Sequence, residues 1–314
     1  MNGYLLRRVA ATVAVLWGVS VAVFALIHLV PGDPVRLALG TRYDAATYAA
    51  LRHRAGLDRP LLAQYVHWLG GALHGDLGVS FRSEDPVSTV IGERLPATAS
   101  LAVAAIVVAL GIAVPLGLLS ALRPQSVFDR AATVLSQVGI SVPDFWLGIL
   151  AILVLAGLLG WFPAGGYVPL TEDPARWFDH LVLPALTVGV VSGAVLTRFV
   201  RASALEVLNE DHVRTARAKG LPEWTILRRH VLRNAAVPVL TVIGIQLAYL
   251  LSGVVVVEIV FSWNGLGQLA LQAVQSRDYP VLQGAVLLFA LVFLVVNLVV
   301  DLLYAILDPR ISLT

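Results

Sequence analysis

The chain has no cysteine, and only 13% of its 314 residues are charged. The first absence excludes disulfides, zinc-thiolate sites, iron–sulfur clusters and cysteine nucleophiles. The second excludes an ordinary soluble domain, in which about 25% of residues are charged. Lysine is nearly missing: Lys219 stands alone, between Ala218 and Gly220. A phosphate-cradling P-loop needs Gly-x-x-x-x-Gly-Lys-[Ser/Thr], which this setting does not supply. Any ATP-driven work therefore falls to another chain. Gly-x-Gly-Asp and His-Glu-x-x-His are absent, and Ser192-Gly193 has Val190 where a serine-protease motif needs glycine. These gaps remove the familiar routes of intramembrane proteolysis and zinc catalysis. The reading is therefore a non-enzyme with no cofactor or metal of its own.

What is present is apolar sequence, 58% of the chain, gathered into long runs. A helix needs about 20 such residues to cross a bilayer. The runs predict an all-α polytopic membrane protein with six spans, near Val9–Val30, Ala97–Leu122, Ala131–Leu159, Leu181–Val200, Ala235–Val260 and Val281–Leu307. Pro115, Pro143 and Pro238 fall in or at the mouths of spans, where neighbouring helices can satisfy the freed carbonyls. The first run is long for a signal peptide and ends in Pro31-Gly32-Asp33-Pro34, so it is read as a retained span.

Arginine sets the expected orientation. With both termini in the cytoplasm, 13 of the 22 Lys and Arg residues lie inside, and the short outer loops hold only Arg176 and Arg277. This follows the positive-inside rule, and Trp161, Trp177 and Trp263 fall at the outer ends. The expected divisions are 1–31 (N-terminus and first span), 32–95 (an outer loop) and 96–314 (the remaining spans), with a cytoplasmic loop at 204–234. The outer loop carries helix signals: Asp44 as a cap, an amphipathic Leu61–Leu73 pattern and Asp85-Pro86. A lid packed on the spans and a docking surface for an external protein are both open readings of it.

The loop 204–234 is a polar, basic island. Asn209 or Asp211 is the expected cap of a short helix, Gly220 its left-handed end, and Pro222 the start of the next helix. Val213, Ala216 and Gly220 share a close-packing face, flanked by Arg214 and Arg217. Docking to a second protein, holding anionic headgroups and fixing topology all fit such a rod. In the spans, polar Asp144, Gln246 and Asn297 are candidates for a translocation path. Glu258 and Asp301, near span ends, read better as helix–helix or interfacial groups.

The run Val213-Arg214-Thr215-Ala216-Arg217-Ala218-Lys219-Gly220-Leu221, with His230 to Pro238 after it, resembles the cytoplasmic loop of ABC importer permeases. The likeness is greatest to the dipeptide/oligopeptide/nickel branch. Gly75 to Ser80, Leu95-Pro96-Ala97-Thr98, Ser141 to Trp146, Leu183 to Thr187 and Gly265-Leu266-Gly267 extend it along the chain. Two departures stand out: Arg214-Thr215-Ala216 replaces Glu-Ala-Ala, and Asn264 replaces a proline after Trp263.

The resemblance implies a type I importer fold and the bacterial cytoplasmic membrane as its location. It implies a permease for peptides, or for nickel or another small ligand. Arg214, Thr215, Ala216, Arg217, Lys219, Gly220 and Leu221 would couple it to cytoplasmic ATPase subunits, two separate or one two-domain, which bind ATP and magnesium. A homologous second permease, or a second copy, would complete the pathway. Trp263, Gly265 and Gly267 would form an outer gate or, with the 32–95 loop, touch an external substrate-binding protein that delivers cargo. Membrane lipid is expected as a partner and nucleic acid is not. An ion-gradient secondary transporter is the alternative class, although the inverted repeats common there are not visible.

Overall fold

The computed structural model describes residues 2–29, 31–40 and 43–307. Val30, Arg310 and the C-terminal end, used above for span and orientation, lie outside the described residues, as does the side chain of Asp301. The elements among the described residues are helices, with one isolated bridge between Val79 and Pro86. They divide into two compact units, one of 1–99 with 264–295 and one of 100–263 with 296–314.

In the first unit, α1 (Asn2–Leu29) is followed by three short helices, α2 (Pro34–Leu39), α3 (Ala45–Arg54) and α4 (Leu61–Leu73). Asp33 and Asp44 cap α2 and α3 by accepting the amides of Arg36 and Thr47. Val35, Leu39, Leu51 and Phe81 form the small core beneath them. A second core joins the start of α5 (Val87–Leu122) to α12 (Leu266–Ser276) and α13 (Tyr279–Leu307) through Val87, Ile91, Leu266, Leu269 and Val281. Asp85-Pro86, expected to open a small loop helix, instead stands at the head of the 36-residue α5.

Three of the motifs quoted above supply two ties in this unit. Thr98, from Leu95-Pro96-Ala97-Thr98, accepts the amide of Leu266 from Gly265-Leu266-Gly267 at 2.8 Å. Ser80 donates its hydroxyl to buried Asp278, which also accepts the Phe81 amide at 3.1 Å.

The second unit is built on α8 (Pro174–Leu208) and α11 (Leu232–Val260), which α6 (Val127–Ser141) and α7 (Asp144–Ala151) pack against. Glycine lets α5 and α8 approach closely. A Cβ on Gly189 would sit 2.6 Å from the Val108 side chain, and one on Gly117 2.7 Å from Val200. Asp129 and Arg201 tie α6 to α8 by a two-pronged ion pair, one prong 2.8 Å long.

Among the described residues, four helical stretches are long and apolar enough to cross a membrane: Arg7–Ala25, Val87–Leu122, Pro174–Leu208 and Tyr279–Val300. The expected third span is not one straight helix. It breaks by 100° between Val127–Ser141 and Asp144–Leu158. Val142 and Pro143 are extended there, with ψ 126° and 136°. The proline ring disfavours helix at the residue before it, so Val142 leaves the helical region and the chain turns. Pro184 and Pro238, by contrast, stay inside α8 and α11.

Candidate functional site: the loop at 204–234

The loop begins where α8 ends. Asn209, expected as a cap for the next helix, instead closes α8, its amide nitrogen donating to the Leu205 carbonyl at 2.9 Å. The short helix α9 (Asp211–Ala218) starts after Glu210 with no side-chain cap. Asp211 lies inside its first turn and pairs with Arg214 at 3.2 Å. An acidic residue there complements the helix dipole without serving as the cap.

Its C-terminal end follows the expectation closely. Gly220 has φ +74°. The Gly220 amide donates to the Arg217 carbonyl at 2.9 Å, and the Leu221 amide to the Ala216 carbonyl at 3.3 Å. These two bonds make a Schellman end, which only a residue tolerant of positive φ forms without strain. Pro222 then precedes α10 (Glu223–Ile226), which runs through a π-helical turn at Leu227–Val231 into α11. The second helix of the loop is therefore the root of the 29-residue α11.

The faces of α9 differ from the expectation. Of the residues expected to share a close-packing face, Gly220 is exposed, whereas Val213 and Ala216 turn inward. They are buried in this chain's own core with Leu118, Ala121, Val207, Leu208, Ile226 and Val231. Burying Val213 is worth about 1.5–3 kcal/mol and the Ala216 methyl about 0.8 kcal/mol, so α9 is fixed to α5, α8 and the root of α11. Ala216 offers nothing outward. The outward face consists of exposed Arg214, Thr215, Arg217, Lys219, Gly220 and Leu221. Arg217 reaches across the turn to Glu223 at 2.8 Å. Trp224, missed at the sequence level, stands 67% exposed beside this face. A large exposed aromatic within a basic loop was the signal available for it.

The other candidates lie apart. In the second unit, Asp144 is half-buried, accepts the Phe145 amide at 3.0 Å and starts α7. Gln246 is buried on α11, and Asn297 is half-buried and engaged. Glu258 is fully buried and engaged.

Trp263, expected at an outer contact surface, is 0% exposed and meets Tyr167 edge-on at 4.8 Å between centroids. The Gly166 amide donates to the Phe261 carbonyl at 2.8 Å, closing the Gly165–Tyr167 segment over the same turn. In the first unit, Gly265 and Gly267 are buried at the head of α12. An external protein cannot touch any of these three residues as they stand. Trp263 and its turn are a packing anchor, because an indole of this size gains most when removed from water.

A cavity of about 800 Å3 lies in the first unit, lined by Phe24, His28, Gln64, Trp68, His74 and Tyr279 among others. Asp144, Gln246 and Asn297 do not line it.

Comparison with known proteins accounts for this architecture. Residues 113–313 match the family described as binding-protein-dependent transport system inner membrane component. Residues 1–102 match its N-terminal companion family. The chain is similar to the dipeptide transport system permease protein DppB of Escherichia coli K12, with 41% identity over 99% of each chain. It is also similar to the oligopeptide transport system permease protein AppB of Bacillus subtilis 168, with 41% identity over 99% of this chain and 100% of the relative. Among solved structures, an inward-facing form of the MetNI methionine ABC transporter aligns with TM-score 0.58 and 18% identity, over 70% of this chain and 96% of that one. That likeness concerns the fold.

Proposed function

This chain belongs to the binding-protein-dependent transport inner-membrane family, and from that premise we propose that it carries peptides inward across the bacterial cytoplasmic membrane. It is a multi-pass permease component of an ABC importer, and the chemistry that drives it is done by other subunits. The observation that carries the coupling part of the proposal is the two-faced α9. Its inner face is locked into the membrane core, and its outer face presents Arg214, Thr215, Arg217, Lys219 and Leu221. A push from a cytoplasmic ATPase on that outer face moves α5, α8 and α11 together. The substrate class follows the names of the similar permeases, DppB and AppB.

Six spans serve this function. They are the four long apolar stretches, the broken α6–α7 pair and α11, whose 29 residues reach about 43 Å. Both termini face the cytoplasm. The chain pairs with a homologous permease and receives cargo from an external binding protein. Asp144, Gln246 and Asn297 face the path between the two permeases, and the turn at Trp263 braces its outer end.

The test is uptake of a labelled dipeptide into vesicles holding the whole assembly. Uptake should require ATP. Gly220→Pro should cut it about tenfold while the assembly still forms, because coupling energies are commonly 1–3 kcal/mol. Uptake that proceeds on a proton or sodium gradient without ATP would instead indicate a secondary transporter.

A further inference from the structure

We propose that α4 lies within the lipid bilayer, in the leaflet opposite the one that holds Arg7 and Arg8, with its apolar stripe against acyl chains. Position along α1 gives the depth. Ser20 and Phe24 belong to the apolar stretch Arg7–Ala25. The Tyr65 hydroxyl of α4 is hydrogen-bonded to the Ser20 hydroxyl at 2.8 Å, and the Phe24 ring meets Tyr65 at 5.3 Å and Trp68 at 6.0 Å. At the outer margin of this contact, His28 bonds Gln64 at 3.0 Å. A helix that touches bilayer-depth residues of a span shares their depth.

Composition agrees with the position. From Leu61 to Gly75 the sequence contains no Asp, Glu, Lys or Arg. Leu62, Val66, Leu69 and Leu73, spaced by four, three and four, fall on one face. Leu62 is 76% exposed, Val66 62% and Leu73 78%. In water such a stripe would be a costly exposed patch. Beside lipid it continues the apolar surface of α1, where Val13 is 60% and Trp17 59% exposed. Thirteen residues make about 20 Å of helix, too short to cross the bilayer, so α4 enters it without spanning. Exposed Arg54 and Arg59 precede the helix, where headgroup phosphates would lie. An external binding protein or a second permease could also cover the stripe, and the experiment separates these occupants.

The chain has no cysteine, so single spin labels can be placed through Leu62→Cys and Leu73→Cys. Val13→Cys marks lipid, and Arg82→Cys, in the exposed stretch Arg82–Asp85, marks water. The complete assembly is placed in phosphatidylethanolamine/phosphatidylglycerol vesicles, and label collisions with oxygen and with a water-soluble nickel chelate are measured. Lipid contact gives the pattern of position 13 at both α4 sites: high oxygen and low nickel. High nickel, as at position 82, overturns the proposal in favour of an aqueous surface. Low collision rates with both agents overturn it in favour of a protein partner.

Discussion

Asp129 illustrates how much one side chain holds here. Its carboxylate is 5% exposed and accepts from Arg201 of α8 and from the Gln125 amide, while the Asp129 amide donates to the Ser126 hydroxyl at 3.1 Å. Removing one partner of such a pair strands the other charge. Because Arg201 is 31% exposed, water recovers part of the loss, and Asp129→Ala should cost about 1–3 kcal/mol. Thermal melting of the purified assembly measures it. Gly189 makes a second residue-scale case: Gly189→Ala puts its methyl 2.6 Å from Val108 and should cost about 1–3 kcal/mol by overpacking. Gly111→Ala, with nothing within 4 Å of the added carbon, should leave the melting point unchanged or slightly raised. Asp33 adds a pH effect outside the spans. Burial pushes its carboxyl up, but the Arg36 amide, the Tyr48 hydroxyl and the Arg52 guanidinium outweigh that and hold it below its ordinary value. A depressed folded-state pKa stabilises above the unfolded value, about pH 4, and the benefit is lost as pH falls through the folded value. Hydrogen exchange across residues 33–54 should therefore rise in acid, and Asp33→Asn should flatten that dependence.

The elements divide into those that local rules decide and those that need the whole fold. Gly220 is of the first kind. Gly220→Ala should cost about 1 kcal/mol through its positive φ, whereas Gly220→Asn should cost less, as judged by the melting point and by peptide uptake. The Leu61–Leu73 helix, the Asp44 cap and the glycine end of α9 were all legible, because each depends on residues a few positions apart. The direction in which α9 faces was not legible. Val213 and Ala216 look the same whether their partner is another protein or Leu118 and Leu208 of the same chain. Trp263 was misjudged for a similar reason: an aromatic at a span end usually anchors in the interface, but here Tyr167 and the Phe261 turn enclose it. The bend at Val142-Pro143 was knowable from the proline rule, yet Pro184 and Pro238 show that the rule alone does not select the proline that breaks a helix. The tie between Asp129 and Arg201 spans 72 positions, beyond any pattern of neighbours, although Ser126 and Asp129 have capping-box spacing.

At the scale of the whole molecule, the proposed topology places Lys219 and Arg82 on opposite sides of the membrane. A membrane-impermeant thiol reagent added to intact spheroplasts should label Arg82→Cys at once and Lys219→Cys only after lysis. The reverse pattern would invert the orientation. The meshed glycines of α5 and α8 constrain how the permease can work. Side chains of one helix fill the gaps of the other at Gly117, Gly189 and Gly193, so sliding one past the other would drive methyl groups into backbone. These two helices must travel as a single slab. Alternation between inward and outward access must therefore find its moving seam elsewhere, at a surface where no such teeth engage.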